Sequence, residues 1–205
     1  MKKIVTQSMI MFATLIAGLS SNASAGTVDT PNGSIPNRPD MLLYIQPFEY
    51  TNPLKFTYYA EGYWFTQGPI VEPLAKDKLT QIYGNVDMCE GNQSGKTLVW
   101  LQPKMFYNPQ VQIFYGEVTA NVYTGIGKLV GIYVGKSAQH GFLDIMPEYW
   151  LKKAYAAAID DMVAKMQADS AIQTAASSSA SASGADTPCS MVTLLPTPKI
   201  RTMFF

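Results

Sequence analysis

The chain has 205 residues, with 15 Lys or Arg against 15 Asp or Glu and a formal net charge of zero. Hydrophobic residues make up 47% and charged residues 15%, which excludes an intrinsically disordered chain, because the apolar bulk suffices to build a core. The only arginines, Arg38 and Arg201, stand in opposite tails, so the concentrated basic surface that nucleic-acid binding requires is missing.

In chain order, residues 1–25 read as a cleavable secretory signal. Lys2 and Lys3 supply the positive start, an apolar run extends from Met9 to Leu19, and Ala23-Ser24-Ala25 gives the small-x-small cleavage pattern. The run is short for a bilayer span and no stop-transfer segment follows. No cysteine stands at the cleavage site to carry a lipid. The mature protein is therefore expected to begin at Gly26 without a transmembrane anchor. It would be periplasmic, associated with the outer membrane there or secreted beyond it.

Without the signal about 180 residues remain, enough for one domain with a sizeable core. Cys89 and Cys189 are the only cysteines. In an oxidising compartment two thiols predict one disulfide, with unpaired or intermolecular thiols as the alternative. His140 is the only histidine, and two cysteines alone do not complete a tetrahedral zinc shell. Neither a metal nor a cofactor is expected.

Residues 26–40, rich in Pro, Gly, Asn and Asp, read as an irregular N-terminal arm. Residues 168–188 form a Ser/Ala-rich segment with too little apolar bulk to offset its ordering entropy, and read as a mobile linker. The folded domain is then 41–167, with a C-terminal tail over 189–205. Met203-Phe204-Phe205 is the kind of ending seen in outer-membrane barrels, but this chain has too few strands for one. The tail is expected to dock on its own domain or to bind a partner.

Inside the domain, 41–46 is a compact apolar strand ending at Pro47. Residues 54–65 are β-prone and strongly aromatic. Ile70, Val71, Leu74, Leu79 and Ile82 recur at near-helical spacing over 69–83, which places Pro73 in a first turn. Leu98 to Leu101 form a strand stopped by Pro103. Val111, Ile113 and Tyr115 alternate, and the apolar phase then shifts to Val118, Ala120 and Val122. A one-residue slip exchanges the faces of a strand, so a β-bulge near Gly116 is expected. Residues 124–127 form a hairpin turn into Val130, Ile132 and Val134. Pro147 and Glu148 open the clearest helix, with Leu151, Tyr155, Ala158, Ile159, Met162 and Met166 on one face. The fold class is α/β (α+β): one small domain, a mostly antiparallel sheet of about four strands, and two helices packed on it.

Catalytic patterns are weak. Glu90 to Thr97 mimics a phosphate-binding loop, but Glu90 stands where the opening glycine belongs, and the segment runs into a strand instead of a helix. It reads as a polar turn. His140 with Ser137 and Asp144 would supply a hydrolase triad, yet no G-x-S-x-G elbow presents a serine. Glu49, Glu61, Glu72 and Glu117 could furnish paired carboxylates, but no spacing selects two of them.

Aromatic density is the stronger signal. Nine aromatic residues fall within the 22 residues from Tyr44 to Phe65. Tyr58 and Tyr59 are adjacent, as are Tyr63, Trp64 and Phe65. Neighbours on a strand point to opposite faces, so one core cannot bury them all. The rest cover a second layer, a partner, a ligand or a lipid headgroup. These five residues are the candidate binding surface.

Lys96–Met166 combines a strand ending in proline, a long β-hairpin with a Gly turn and an Ala-rich amphipathic helix. This order resembles small bacterial envelope proteins such as the YajG-type lipoproteins and the auxiliary components of ABC-type envelope transport systems. The resemblance implies a non-catalytic domain that supports a larger envelope complex. The missing lipobox cysteine departs from that pattern. The leading expectation is an exported accessory domain that binds an envelope protein. The second is a soluble periplasmic binding protein for a lipid or glycan, and a hydrolase centred on His140 is third.

Overall fold

Strand β1 (Met41–Ile45) runs parallel to both of its neighbours, β4 (Val86–Met88) and β5 (Thr97–Asn108). The remaining strands, β6 (Ile113–Thr124) and β7 (Leu129–His140), extend the sheet as an antiparallel meander in the order β4-β1-β5-β6-β7. This computed structural model describes residues 39–91, 93–177, 189 and 192, all within one compact unit spanning 35–205. Residues 1–38, which include the expected signal and most of the expected arm, lie outside the described residues. So does the rest of the tail apart from 189 and 192.

The sheet is thus mixed and five-stranded, not a mostly antiparallel sheet of about four strands. A separate two-stranded hairpin of β2 (Leu54–Tyr58) and β3 (Glu61–Phe65) adds to it. There are four described helices where two were expected: α1 (Phe48–Thr51), α2 (Gly68–Tyr83), α3 (Pro147–Ala168) and α4 (Ser170–Ser177).

Helices α2 and α3 cover one face of the sheet. The core lies between them and the inward residues, among them Leu43, Val99, Leu101, Phe114, Val118 and Ala120. On α3 the expected stripe from Leu151 to Met166 is buried, as its period requires. In α2, Pro73 falls in the second turn, not the first. Its missing N–H forfeits only the bond to the Pro69 carbonyl, near the helix start, and the helix continues.

Pro103 does not stop β5 either. Pairing with β1 ends at Leu101, so beyond that point β5 has one edge without a strand partner among the described residues, where proline is tolerated.

The expected bulge near Gly116 is absent: the β5–β6 and β6–β7 registers pass through Gly116 without a shift. Phe114, Val118, Ala120 and Val122 all face the helices, while Ile113 and Tyr115 face the other way. Gly116 serves a different purpose. A Cβ there would lie 3.1 Å from the Ala154 carbonyl oxygen of α3. The actual irregularity falls between Val122↔Gly131 and Tyr123↔Leu129, which leaves Val130 as the extra residue on β7. Val130 turns toward the core, and Ile132 points outward, exposed.

Helix α4 occupies the first half of the segment expected to be a linker. Ile172 is fully buried and Ala175 nearly so, and α4 packs near β7 and β6. One isoleucine at the right position outweighs a Ser/Ala-rich composition, because the sheet already offers a surface to bury it. Residues 178–188 lie outside the described residues.

The two cysteines are joined, with Cα atoms 5.6 Å apart across a separation of 100 residues. Cys89 follows the edge strand β4, and its N–H donates to the Leu43 carbonyl. Cys189 lies against Leu42 and Leu98 on the outward face of the sheet, with Val192 beside it.

Candidate functional site

The aromatic segment folds into the β2–β3 hairpin through a two-residue turn, Tyr59-Ala60, both in the left-handed region (φ 47° and 69°). Such a turn matches the strand twist but normally recruits Gly or Asn. The hairpin splits the five candidate residues by face. Phe56, Tyr58, Tyr63 and Phe65 turn toward the core, with Phe56 and Phe65 ring centroids 5.9 Å apart. Trp64 faces solvent, 59% exposed, and Lys55 from the paired position lies 5.3 Å from its ring centroid. Tyr59 stands at the tip, 85% exposed. The five are therefore not one flat platform: Tyr58 supports the hairpin and Tyr59 stands apart at its tip, while Tyr63, Trp64 and Phe65 border a common groove although Trp64 alone of the three faces solvent.

Trp64 has company that no local pattern announces. The start of α3 lies across from β3, and between them runs an open groove of about 790 Å³. Tyr63, Trp64 and Phe65 line one side, and Met146, Tyr149 and Lys152 the other. Met146 and Tyr149 are also exposed. Tyr149 and Trp150 are adjacent on a helix, where the strand rule of opposite faces does not apply. The position of Tyr149 opposite Trp64 is set by the tertiary fold.

The α3 side of the groove is held firmly. Met146 precedes Pro147, which disfavours right-handed helical geometry at Met146. It takes the left-handed conformation (φ 51°, ψ 52°) and caps the helix without a side-chain hydrogen bond. Trp150 donates from Nε1 to the Ile145 carbonyl at 3.0 Å, and its ring packs over Gly141. Lys153 lies 5.5 Å from the Trp150 ring centroid. The loop that carries Ile145 and Met146 is thereby clasped.

Charges around the groove are of both signs. Glu148 opens α3, where the helix dipole favours it, and Lys152 follows one turn on. The Tyr63 hydroxyl donates to Glu61 at 3.0 Å, and this bond holds the Tyr63 phenol above its ordinary pKa. The Tyr59 phenol is held above its ordinary pKa too, chiefly by its hydrogen bond with Tyr58.

The other candidates are dispersed. Ser137 donates to the Ala154 carbonyl at 2.7 Å on the inward face of β7, while His140, three residues on, points outward against Phe142. The two do not meet. Lys96 of the loop-like segment is paired with Asp40 at 2.5 Å, and Thr97 opens β5. Glu72 accepts from Tyr50, and Glu117 bridges Lys104 and Lys136 across the outward face. Glu49 is buried and accepts from Gln67 Nε2 at 2.7 Å, while Gln67 Oε1 accepts from the Tyr155 hydroxyl. Burial pushes the Glu49 carboxyl up, against the lowering effect of the Gln67 bond. Among the described residues, no group of three or more His, Cys, Asp or Glu is arranged to hold a metal ion. No helix among them is long and apolar enough to cross a membrane.

No family model matches this chain, and no curated protein does. Among solved structures, the chain is similar to a protein of Caulobacter crescentus CB15 provisionally described as a lipoprotein, with 11% identity and a TM-score of 0.34. That similarity covers 54% of this chain and 83% of the other.

Proposed function

We propose that this protein is an exported, non-enzymatic accessory domain of a bacterial cell-envelope complex, acting in assembly or transport, which binds its partner through the groove between β3 and α3. The observation that carries this is the groove itself: Trp64, Met146 and Tyr149 exposed together on firmly held elements. Exposed aromatics of this kind are the side chains that dominate binding energy at protein interfaces. The Cys89–Cys189 disulfide supports an oxidising compartment. The strand–hairpin–helix order over 96–166, which resembles YajG-type lipoproteins and transport auxiliary components, supports the same reading.

Crosslinking in intact cells, followed by purification of the tagged mature protein and mass spectrometry, tests it. A stoichiometric envelope protein, lost in the Trp64→Ala variant, is the expected result. Recovery of no specific partner overturns it. The second reading, a periplasmic lipid- or glycan-binding protein, is favoured by one observation: Trp64 and Tyr149 flank one groove wide enough for a ring to stack. A shift of tryptophan fluorescence on adding oligosaccharide, without any protein partner, would favour that reading.

A further inference from the structure

Three turns meet at one end of the molecule: Tyr59-Ala60 between β2 and β3, 109–112 between β5 and β6, and 141–146 between β7 and α3. The Gly141 N–H donates to the Gln112 carbonyl at 2.9 Å. Gln112 Nε2 reaches the Tyr58 hydroxyl at 3.5 Å, which ties the β2–β3 turn to the other two. Each turn presents a large apolar side chain at its tip: Tyr59, Val111 (49% exposed), and Ile145 with Met146 (57% and 67%). The four non-glycine residues with positive φ among the described residues are Tyr59, Ala60, Gln112 and Met146, and all lie on these turns. Left-handed geometry is disfavoured for residues with a Cβ, and it persists where the surrounding fold imposes it, often at functional sites.

We infer that this end is a membrane-binding surface whose three tips enter the interface of a lipid bilayer. The inference rests on the envelope reading above and adds a lipid surface to it. Tyr59, Val111 and Ile145 lie outside the groove, exposed on turns, and a bilayer accepts such apolar tips without a matching cavity, as a protein partner would not. The aromatic residues fit the same layering, since Trp and Tyr settle at the headgroup level.

Charge decides which lipid. Residues 58–60, 109–112 and 141–146 carry a single formally charged side chain, Asp144. Glu61 flanks the Tyr59-Ala60 turn, opposite Tyr58, and farther from the tips Lys55 and Lys152 are interspersed with Glu148. Lys152 stands about 7.5 Å along α3 from Pro147, within reach of headgroup phosphates while its stem covers apolar surface. A surface of both signs matches zwitterionic headgroups and gives no net attraction to anionic ones. Binding should therefore be driven by apolar burial and be insensitive to salt.

Sedimentation of the mature protein with phosphatidylcholine vesicles tests this, alongside vesicles with an equal part of phosphatidylglycerol, at low and high salt. Expected is binding to both compositions within about twofold, unchanged by salt. Tyr59→Ser, Val111→Ser and Ile145→Ser should each lower partitioning by roughly tenfold, in proportion to the apolar area removed, with the far-UV circular dichroism and the melting temperature unchanged. Failure to sediment with either vesicle overturns the inference. So does binding that needs phosphatidylglycerol and vanishes in salt, or binding that survives all three substitutions combined. The vesicle assay contains no protein partner, so its failure is separate from a failure of the crosslinking experiment.

Discussion

Gly135 on β7 lies directly under Ala158 of α3: a Cβ on the glycine would overlap the Ala158 carbonyl oxygen and come within 2.6 Å of the Met162 backbone nitrogen. Together with Gly116 beneath Ala154, this sets how closely the helix approaches the sheet. The clash is with backbone, which cannot rotate away. Gly135→Ala should therefore destabilise the domain by about 2–3 kcal/mol, at the upper end of overpacking costs. Urea unfolding monitored by circular dichroism would measure it. A loss below about 0.5 kcal/mol would mean that α3 lifts freely, and that this contact does not set the spacing.

Trp64→Ala and Phe65→Ala should separate function from folding. Trp64 is exposed, so its removal should leave stability within about 0.5 kcal/mol while weakening partner capture at least about tenfold. Phe65 packs against Phe56 on the inward face, so its truncation should cost roughly 2 kcal/mol or more. Thermal melts of both variants decide. If Trp64→Ala melts as early as Phe65→Ala, Trp64 belongs to the core and the groove is no binding site.

Ile172 tests whether the chain beyond 168 belongs to the folded domain. It is fully buried in α4, so Ile172→Ala should cost about 2–4 kcal/mol. In a free linker the same substitution would leave the unfolding midpoint where it was.

Reducing the Cys89–Cys189 bond should lower stability by about 2–4 kcal/mol, because it frees a long loop in the unfolded chain. Cys189 also covers Leu42 and Leu98, so reduction should raise the binding of a hydrophobic dye. Calorimetry and dye fluorescence with and without reductant read the two effects separately.

Glu49 gives a pH dependence with a definite sign. Its folded pKa is raised by burial, with the Gln67 hydrogen bond opposing. The folded state therefore holds its proton more tightly than the unfolded state does. This contribution to stability is fully present below the unfolded value near 4.5 and is lost as pH rises through the folded pKa. Glu49→Gln keeps an acceptor for Gln67 and removes the charge. It should raise the melting temperature at pH 7 relative to the native protein, and leave the two alike near pH 4. Parallel pH series of melts would show a constant difference if Glu49 were not the group responsible.

Much of this could be read without coordinates, for reasons that lie within a few residues. The apolar stripe of α3 repeats at the helical period, so its buried face was determined along with its extent. The rule that adjacent strand residues oppose each other separated Trp64 from Tyr63 and Phe65 in principle, and two cysteines admit only one intramolecular pairing. Where both faces of a strand are apolar, the pattern is silent. Ile113 and Tyr115 compete with Phe114 and Val118, and Ile132 with Tyr133. Only the placement of α3 over Gly116 and Gly135 decided which set is buried. The parallel position of β1, the passage of β5 through Pro103 and the docking of Ile172 likewise depend on which neighbour is present or absent. The groove has the same origin: Trp64 and Tyr149 are 85 residues apart in the chain, and the packing of α3 across the sheet puts them on opposite walls of one surface.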